Sequence, residues 1–343
     1  MLATSCALLV AVPGTASAET TLCLVNNSTT VSETINGTSG NDLIFCRDGV
    51  NPGTTINAGA GDDRIVVDGP SGGLTANRGN VNGGSGNDDI SIQSVTTNGS
   101  GRGGDGSSGT VNGGTGDDRI TVDGGNGRVT EDTLPGGVGG YGNTGTIDGG
   151  GGNNTVTVSG GNGGRGGTSS DGGAGGAGNR EGTITSAGSI TVIGGAGGNA
   201  GQTQFGTTPD SDGGAGGIGN DGTIRTRVLS LLVNQVNVTG GNGGFGLSNG
   251  EGGNGGDAND ETIVMTGRVA LQGGTGGETR QTGSEGGNGG HGNDGPLSAP
   301  TGGTSEGGNG GAGRPGGSGG LGASAGIVGV VAVTNGSPGA TRP

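Results

Sequence analysis

Lysine is absent from this 343-residue chain, so all 14 of its basic residues are arginine. Histidine occurs once, at His291, tryptophan does not occur, and the aromatics are Phe45, Tyr141, Phe205 and Phe245. Each shortage excludes something. A glycine-rich phosphate loop needs its lysine. Histidine-based nucleophilic or zinc chemistry has one imidazole to work with. Fourteen arginines against 29 acidic residues leave a net charge of −15 and no clustered basic footprint for nucleic acid. Hydrophobic residues make up only 25%, and no stretch approaches the roughly 20 apolar residues of a membrane span. The nearest, residues 325–333, is interrupted by Gly326 and Gly329. The expectation is a non-enzymatic protein with neither a nucleic-acid partner nor a membrane span.

Glycine is abundant instead: 99 residues, with 10 prolines. A chain that poor in apolar residues either stays unfolded or stacks short units whose backbone hydrogen bonds replace a thick core. The order of its glycines favours stacking. A stem Gly-Thr-(Ile/Val)-(Asn/Asp), then Gly-Gly-x-Gly-(Asp/Asn)-(Asp/Asn)-x-(Ile/Val)-x-Val, recurs at residues 109–122 and 145–158. A unit ending in one short β-branched strand cannot bury its apolar face alone, so it stacks on its copies. Ile44, Ile65, Ile90, Ile120 and Val156 align at spacings of 21, 25, 30 and 36 residues, and apolar and polar residues alternate around them with the period of a strand. Residues 189–192, 235–238 and 268–271 keep the strand but lose the acidic turn. The fold class expected is all-β, a parallel β-solenoid.

The spacing grows because glycine-rich inserts follow the strands. Residues 160–167 read Gly-Gly-Asn-Gly-Gly-Arg-Gly-Gly, then comes a polar turn at 168–171 and a second glycine run at 172–178. Period three with glycine at two positions in three fits polyproline II-like segments paired into hairpin arms and closed by inter-segment contacts, including weak Cα–H···O bonds. Flexible glycine loops are the alternative reading of the same runs.

The turns carry the candidate ligands. Glycine-rich acidic turns present carbonyl oxygens and a carboxylate to a hard cation such as calcium. Residues 37–44, 83–90 and 113–120 resemble the haemolysin-type calcium-binding (RTX) nonapeptide, and residues 58–65 depart from it only in Ala58 at the first glycine. The resemblance covers about residues 37–158. It implies a parallel β-roll in which Ca2+ lies between stacked turns, with Asp42, Asp63, Asp88 and Asp118 as metal ligands and a weaker layer where Asn154 replaces the aspartate. Asp62, Asp89 and Asp117 flank those positions and are read as solvated. Turn chemistry offers another account, since Asp and Asn bond to nearby amides in tight turns and stack without a metal. The copies here are separated, whereas the family runs them end to end. The later glycine hairpins are similar to the glycine-rich PGRS regions of mycobacterial surface proteins.

Residues 7–12 are apolar and Ala16-Ser17-Ala18 suits signal peptidase, so residues 1–18 read as a secretion signal, although no basic residue precedes the apolar stretch. Cys23 and Cys46 then remain, and in an oxidising compartment they are expected to form a disulfide. Residues 19–36 are read as an N-terminal cap, 37–158 as calcium-binding repeats, 159–295 as repeats with glycine arms, and 296–343 as a glycine-rich end with a capping strand near 327–333. The function expected is that of a secreted calcium-binding structural or cell-surface protein. An adhesin or an ice- or polysaccharide-binding module is the alternative, with a polysaccharide lyase behind both.

Overall fold

The structure is a computed structural model and describes residues 20–96, 101–131, 133–202, 210–227, 234–247, 249–279 and 284–342. The expected signal segment therefore lies outside the described residues. Among these, 20 strands and no helix occur, and the strands pair parallel except at the N-terminal cap, with one antiparallel bridge between Ser211 and Leu247 in the arms. No helix is long and apolar enough to cross a membrane among the described residues.

Each coil contributes two strands, joined in the first five coils by the turn that carries Asp42, Asp63, Asp88, Asp118 or Asn154. The Gly-Thr-Ile/Val-Asn stem is itself a strand, so Thr34–Asn36, Thr55–Ala60, Asn80–Ser85 and Thr110–Thr115 stack in one column. Leu43–Cys46, Arg64–Asp68, Asp89–Gln93, Arg119–Asp123 and Thr155–Ser159 stack in the other. The apolar alignment is the pairing register: Ile44 lies beside Ile65, Ile65 beside Ile90, Ile90 beside Ile120 and Ile120 beside Val156. Alternate residues point inward, as the burial of Ile120 and Val122 around the half-exposed Thr121 illustrates. Ile56, Val81, Val111 and Ile147 face them from the stem column, all fully buried. Each such side chain contributes about 1.5–3 kcal/mol, so three per coil hold a thin but continuous core.

A third inward row is polar. Asn143 donates through its Nδ2 to Asn179 Oδ1 at 2.8 Å, Asn179 to Asn220 at 2.8 Å, Asn220 to Asn259 at 2.7 Å and Asn259 to Asn293 at 2.8 Å. These fully buried amides also bond backbone carbonyls two or three residues on, as from Asn220 to Gly222. A satisfied ladder of this kind penalises any slip in register, because a shifted coil would bury an unpaired amide.

The glycine inserts are hydrogen-bonded arms. In each Gly-Gly-x triplet the first glycine N–H bonds sideways to the next arm of the same row, as from Gly163 to Ala196 O and from Gly175 to Ala215 O. The second bonds across to the opposite row. That crossing path runs unbroken through Gly125, Gly140, Gly161, Gly176, Gly195, Gly217, Gly241, Gly256, Gly274 and Gly290 to Gly336, with N···O distances of 2.7–2.9 Å. Glycine is required because the rows touch: a Cβ on Gly241 would fall 1.9 Å from Gly195 O. Conventional N–H···O bonds thus tie the bundle together, and carbonyls such as Gly195 O also lie directly opposite a glycine Cα, where weak Cα–H···O contacts form.

The N-terminal end is capped by Thr21–Val25 folding back on Ser28–Ser32 and pairing antiparallel to Leu43–Cys46. Asn26 and Asn27, at φ 49° and 66°, make the two-residue turn. Cys23 lies opposite Cys46 and the two form a disulfide. The C-terminal region holds more strand than its sequence suggests. Leu297–Glu306 spans both columns with a shift between Ala299 and Gly303, and Ile327–Thr334 pairs with it.

Candidate metal site in the acidic turns

The acidic turns that carry Asp63, Asp88 and Asp118 bend at positions that only glycine adopts easily, such as Gly114 at φ +107° and Gly116 at φ +128°. The bend points the second acidic residue inward. Asp42, Asp63, Asp88 and Asp118 lie 2–4% exposed, one above another, with Asn154 beneath them at 1%. They form a ladder with one direction. The N–H of Asp42 donates to Asp63 Oδ1 at 2.7 Å, Asp63 to Asp88 Oδ1 at 2.9 Å, Asp88 to Asp118 Oδ1 at 2.9 Å and Asp118 to Asn154 Oδ1 at 2.8 Å. The preceding residues form an exposed ladder of opposite direction: Asp62 N–H donates to Asn41 Oδ1, Asn87 to Asp62, Asp117 to Asn87 and Asn153 to Asp117. Asp62 and Asp117 are therefore exposed but structural. Asp89 lies between Arg64 and Arg119, 3.9 Å from each.

In Asp63, Asp88 and Asp118 one carboxylate oxygen accepts from this ladder. Only at the cap are both oxygens accounted for, where Asp42 Oδ2 accepts from Thr38 N–H at 2.5 Å and Oδ1 from Asn26 Nδ2 at 2.5 Å. Burial raises the Asp42 pKa, but these bonds outweigh it and hold the carboxyl below its usual range. In the next three coils Oδ2 of Asp63, Asp88 and Asp118 is buried with no hydrogen-bond partner. Burial is the main cause that raises all three, opposed in each case by the ladder bond and reinforced by neighbouring carboxylates, and it brings Asp118 to about 6.

Further hard oxygens converge on these orphans. A Cβ at Gly83 would lie 2.4 Å from both Asp88 Oδ2 and Gly113 O, and one at Gly113 would lie 2.6 Å from both Asp118 Oδ2 and Gly149 O. The glycine thus leaves open a space bounded by a carboxylate oxygen of its own turn and a carbonyl of the next coil. Ala58 puts a methyl group in the corresponding place above Asp63. Oxygens of both kinds suit Ca2+, which takes six to eight of them, and stacked buried carboxylates need a counter-charge or a proton. The residues present fit a calcium ion.

The geometry also contains buried polar and titratable positions that the acidic pattern alone misses. The Asn143–Asn293 ladder was legible as a recurring Asn shortly before each stem. The return side of the arms places His291 beside Asp294, with Nδ1 2.6 Å from Oδ2. No family model matches this chain, and no curated protein matches it. One solved structure is similar over 65% of this chain and 95% of its own at 26% identity: the nine polyproline type II helical bundle springtail antifreeze protein from Granisotoma rainieri. Its TM-score is 0.14, too low for a common fold.

Proposed function

We propose that this chain is a secreted, non-enzymatic calcium-binding repeat protein with a structural or cell-surface role. One observation carries the reading: three consecutive buried aspartates, in register, each keep an oxygen without a donor. Asp88 and Asp118, each with an open glycine position, are the principal ligands, Asp63 contributes beside the Ala58 methyl, and Asp42 is already satisfied by the cap. Ca2+ would supply the missing positive charge and tie each turn to the next. The RTX resemblance, the net negative charge and the Cys23–Cys46 bridge support the same reading, the last because such bonds persist in oxidising compartments. The arms are then polyproline II-type segments, hydrogen-bonded to one another, that widen the solenoid. Circular dichroism and thermal melting of the mature protein, with calcium and then with chelator, test the proposal. A loss of stability on chelation is expected, and an unchanged melt would remove the calcium assignment.

A ligand-binding face is the second reading. Ser91, Thr121, Thr157 and Thr191 lie in register on the outer side of the second column, a ladder suited to an ordered surface such as a glycan or ice. Substituting Thr121 and Thr157 with a bulky residue should abolish such binding. No change in a glycan or ice assay would dismiss it.

A further inference from the structure

Each glycine arm rejoins the stem column at a corner just before and after the buried asparagine of its coil, and parallel bridges align Asn220, Asn259 and Asn293 there. In an earlier coil that corner is occupied by a cation. Arg180 stacks over the Tyr141 ring at 4.7 Å and donates to its hydroxyl. Two coils on, the arginine has gone and the corner holds Asp257, Asp260, His291 and Asp294. We propose that Asp257, His291 and Asp294 bind one divalent transition-metal ion of the zinc class.

The ligand atoms of these three residues lie within 4.8 Å of one another. Around a tetrahedral zinc, at about 2.0–2.2 Å from each nitrogen or oxygen, ligand atoms lie no more than roughly 4 Å apart. His291 Nδ1 and Asp294 Oδ2 are 2.6 Å apart, a hydrogen bond that a bound ion would replace by drawing the two atoms apart, and the side chains are part-exposed, at 36% and 26%, with room for that shift. The other atoms of the set are already held. Asp257 Oδ1 accepts the His291 backbone N–H at 2.5 Å, which leaves Oδ2 for the ion. Asp294 Oδ1 accepts from the Ser324 hydroxyl, which fixes the carboxylate plane while Oδ2 faces the imidazole. Asp260 adds an independent mark: its Oδ1 is buried without a hydrogen-bond partner at the same corner. An imidazole among carboxylates favours zinc, cobalt or nickel over calcium and magnesium, which prefer oxygen alone. This site is therefore distinct in hardness from the acidic turns and does not depend on them.

The chain's single histidine makes the test direct. Zinc chloride is added to the full mature protein in excess calcium, and the His291 imidazole resonances are followed by NMR alongside calorimetry. One equivalent of zinc should shift them, cobalt should give a visible ligand-field band, and His291→Ala or Asp294→Asn should weaken binding by about tenfold or more without altering circular dichroism. Imidazole resonances indifferent to zinc in the wild-type protein, or undiminished binding by His291→Ala, would overturn the proposal.

Discussion

Replacing Asp118 with asparagine keeps the acceptor of the Asp88 N–H and removes one charge, so its effect should reverse sign with calcium. Without the ion, the Asp118 carboxyl titrates at about 6 in the folded protein against 3.8 when unperturbed. At about 1.36 kcal/mol per pH unit, holding it ionised at pH 7 costs up to about 3 kcal/mol. The folded state binds the proton more tightly than the unfolded state. The contribution of Asp118 to the stability of the metal-free protein therefore falls as pH rises from 3.8 through about 6. In chelator at pH 7, Asp118→Asn should be more stable than wild type by as much as about 3 kcal/mol, and the difference should vanish by pH 3. In saturating calcium the order should invert, because the wild type gains the ion and the variant loses a ligand. Urea denaturation at several pH values, with and without calcium, measures all of this. A variant that is less stable than wild type in chelator at pH 7 would refute the reasoning, as would an advantage of the variant that does not grow between pH 4 and 7.

Gly83→Ala places a methyl 2.4 Å from Asp88 Oδ2 and Gly113 O and should reduce the calcium response, whereas Ala58→Gly opens the corresponding space and should strengthen it; titration calorimetry of the two variants reads the contrast. Gly241→Ala would bring a methyl 1.9 Å from Gly195 O, and, because backbone rather than a side chain must move, a loss of about 1–3 kcal/mol or more is expected, together with faster amide exchange at Gly217 and Gly256. Cys23→Ser with Cys46→Ser should cost ~3 kcal/mol on the chain-entropy account in urea melts under oxidising conditions, and equal stability with and without the bridge would contradict that.

Much of the fold was legible because a stacked repeat writes its register into the chain. Ile44, Ile65, Ile90, Ile120 and Val156 could be aligned from spacing alone, since each unit ends in the same alternation, and they pair as aligned. The stem strands were harder to see. A stem strand as short as Thr146–Asp148, or one that runs on into glycines as Asn80–Ser85 does, shows too little alternation to be told from a turn, although the neighbouring coils make it a strand. The arms were ambiguous for a different reason: glycine composition suits both a flexible loop and a packed segment, and only the partners decide. The choice of Asp88 and Asp118 over their neighbours came from the resemblance of the turns to the RTX nonapeptide. Their ladder bonds, and the orphaned oxygens that follow, depend on which amide of the adjacent coil comes within reach, and no local pattern encodes that.

The most direct measurement is a calorimetric calcium titration of the intact mature protein, repeated on a variant carrying Asp63→Asn, Asp88→Asn and Asp118→Asn. Heat of binding that saturates in the wild type and is lost in the triple variant, with the strand content of both unchanged, is the predicted result. Calcium binding that survives removal of all three carboxylates, or none in either protein, would contradict the account.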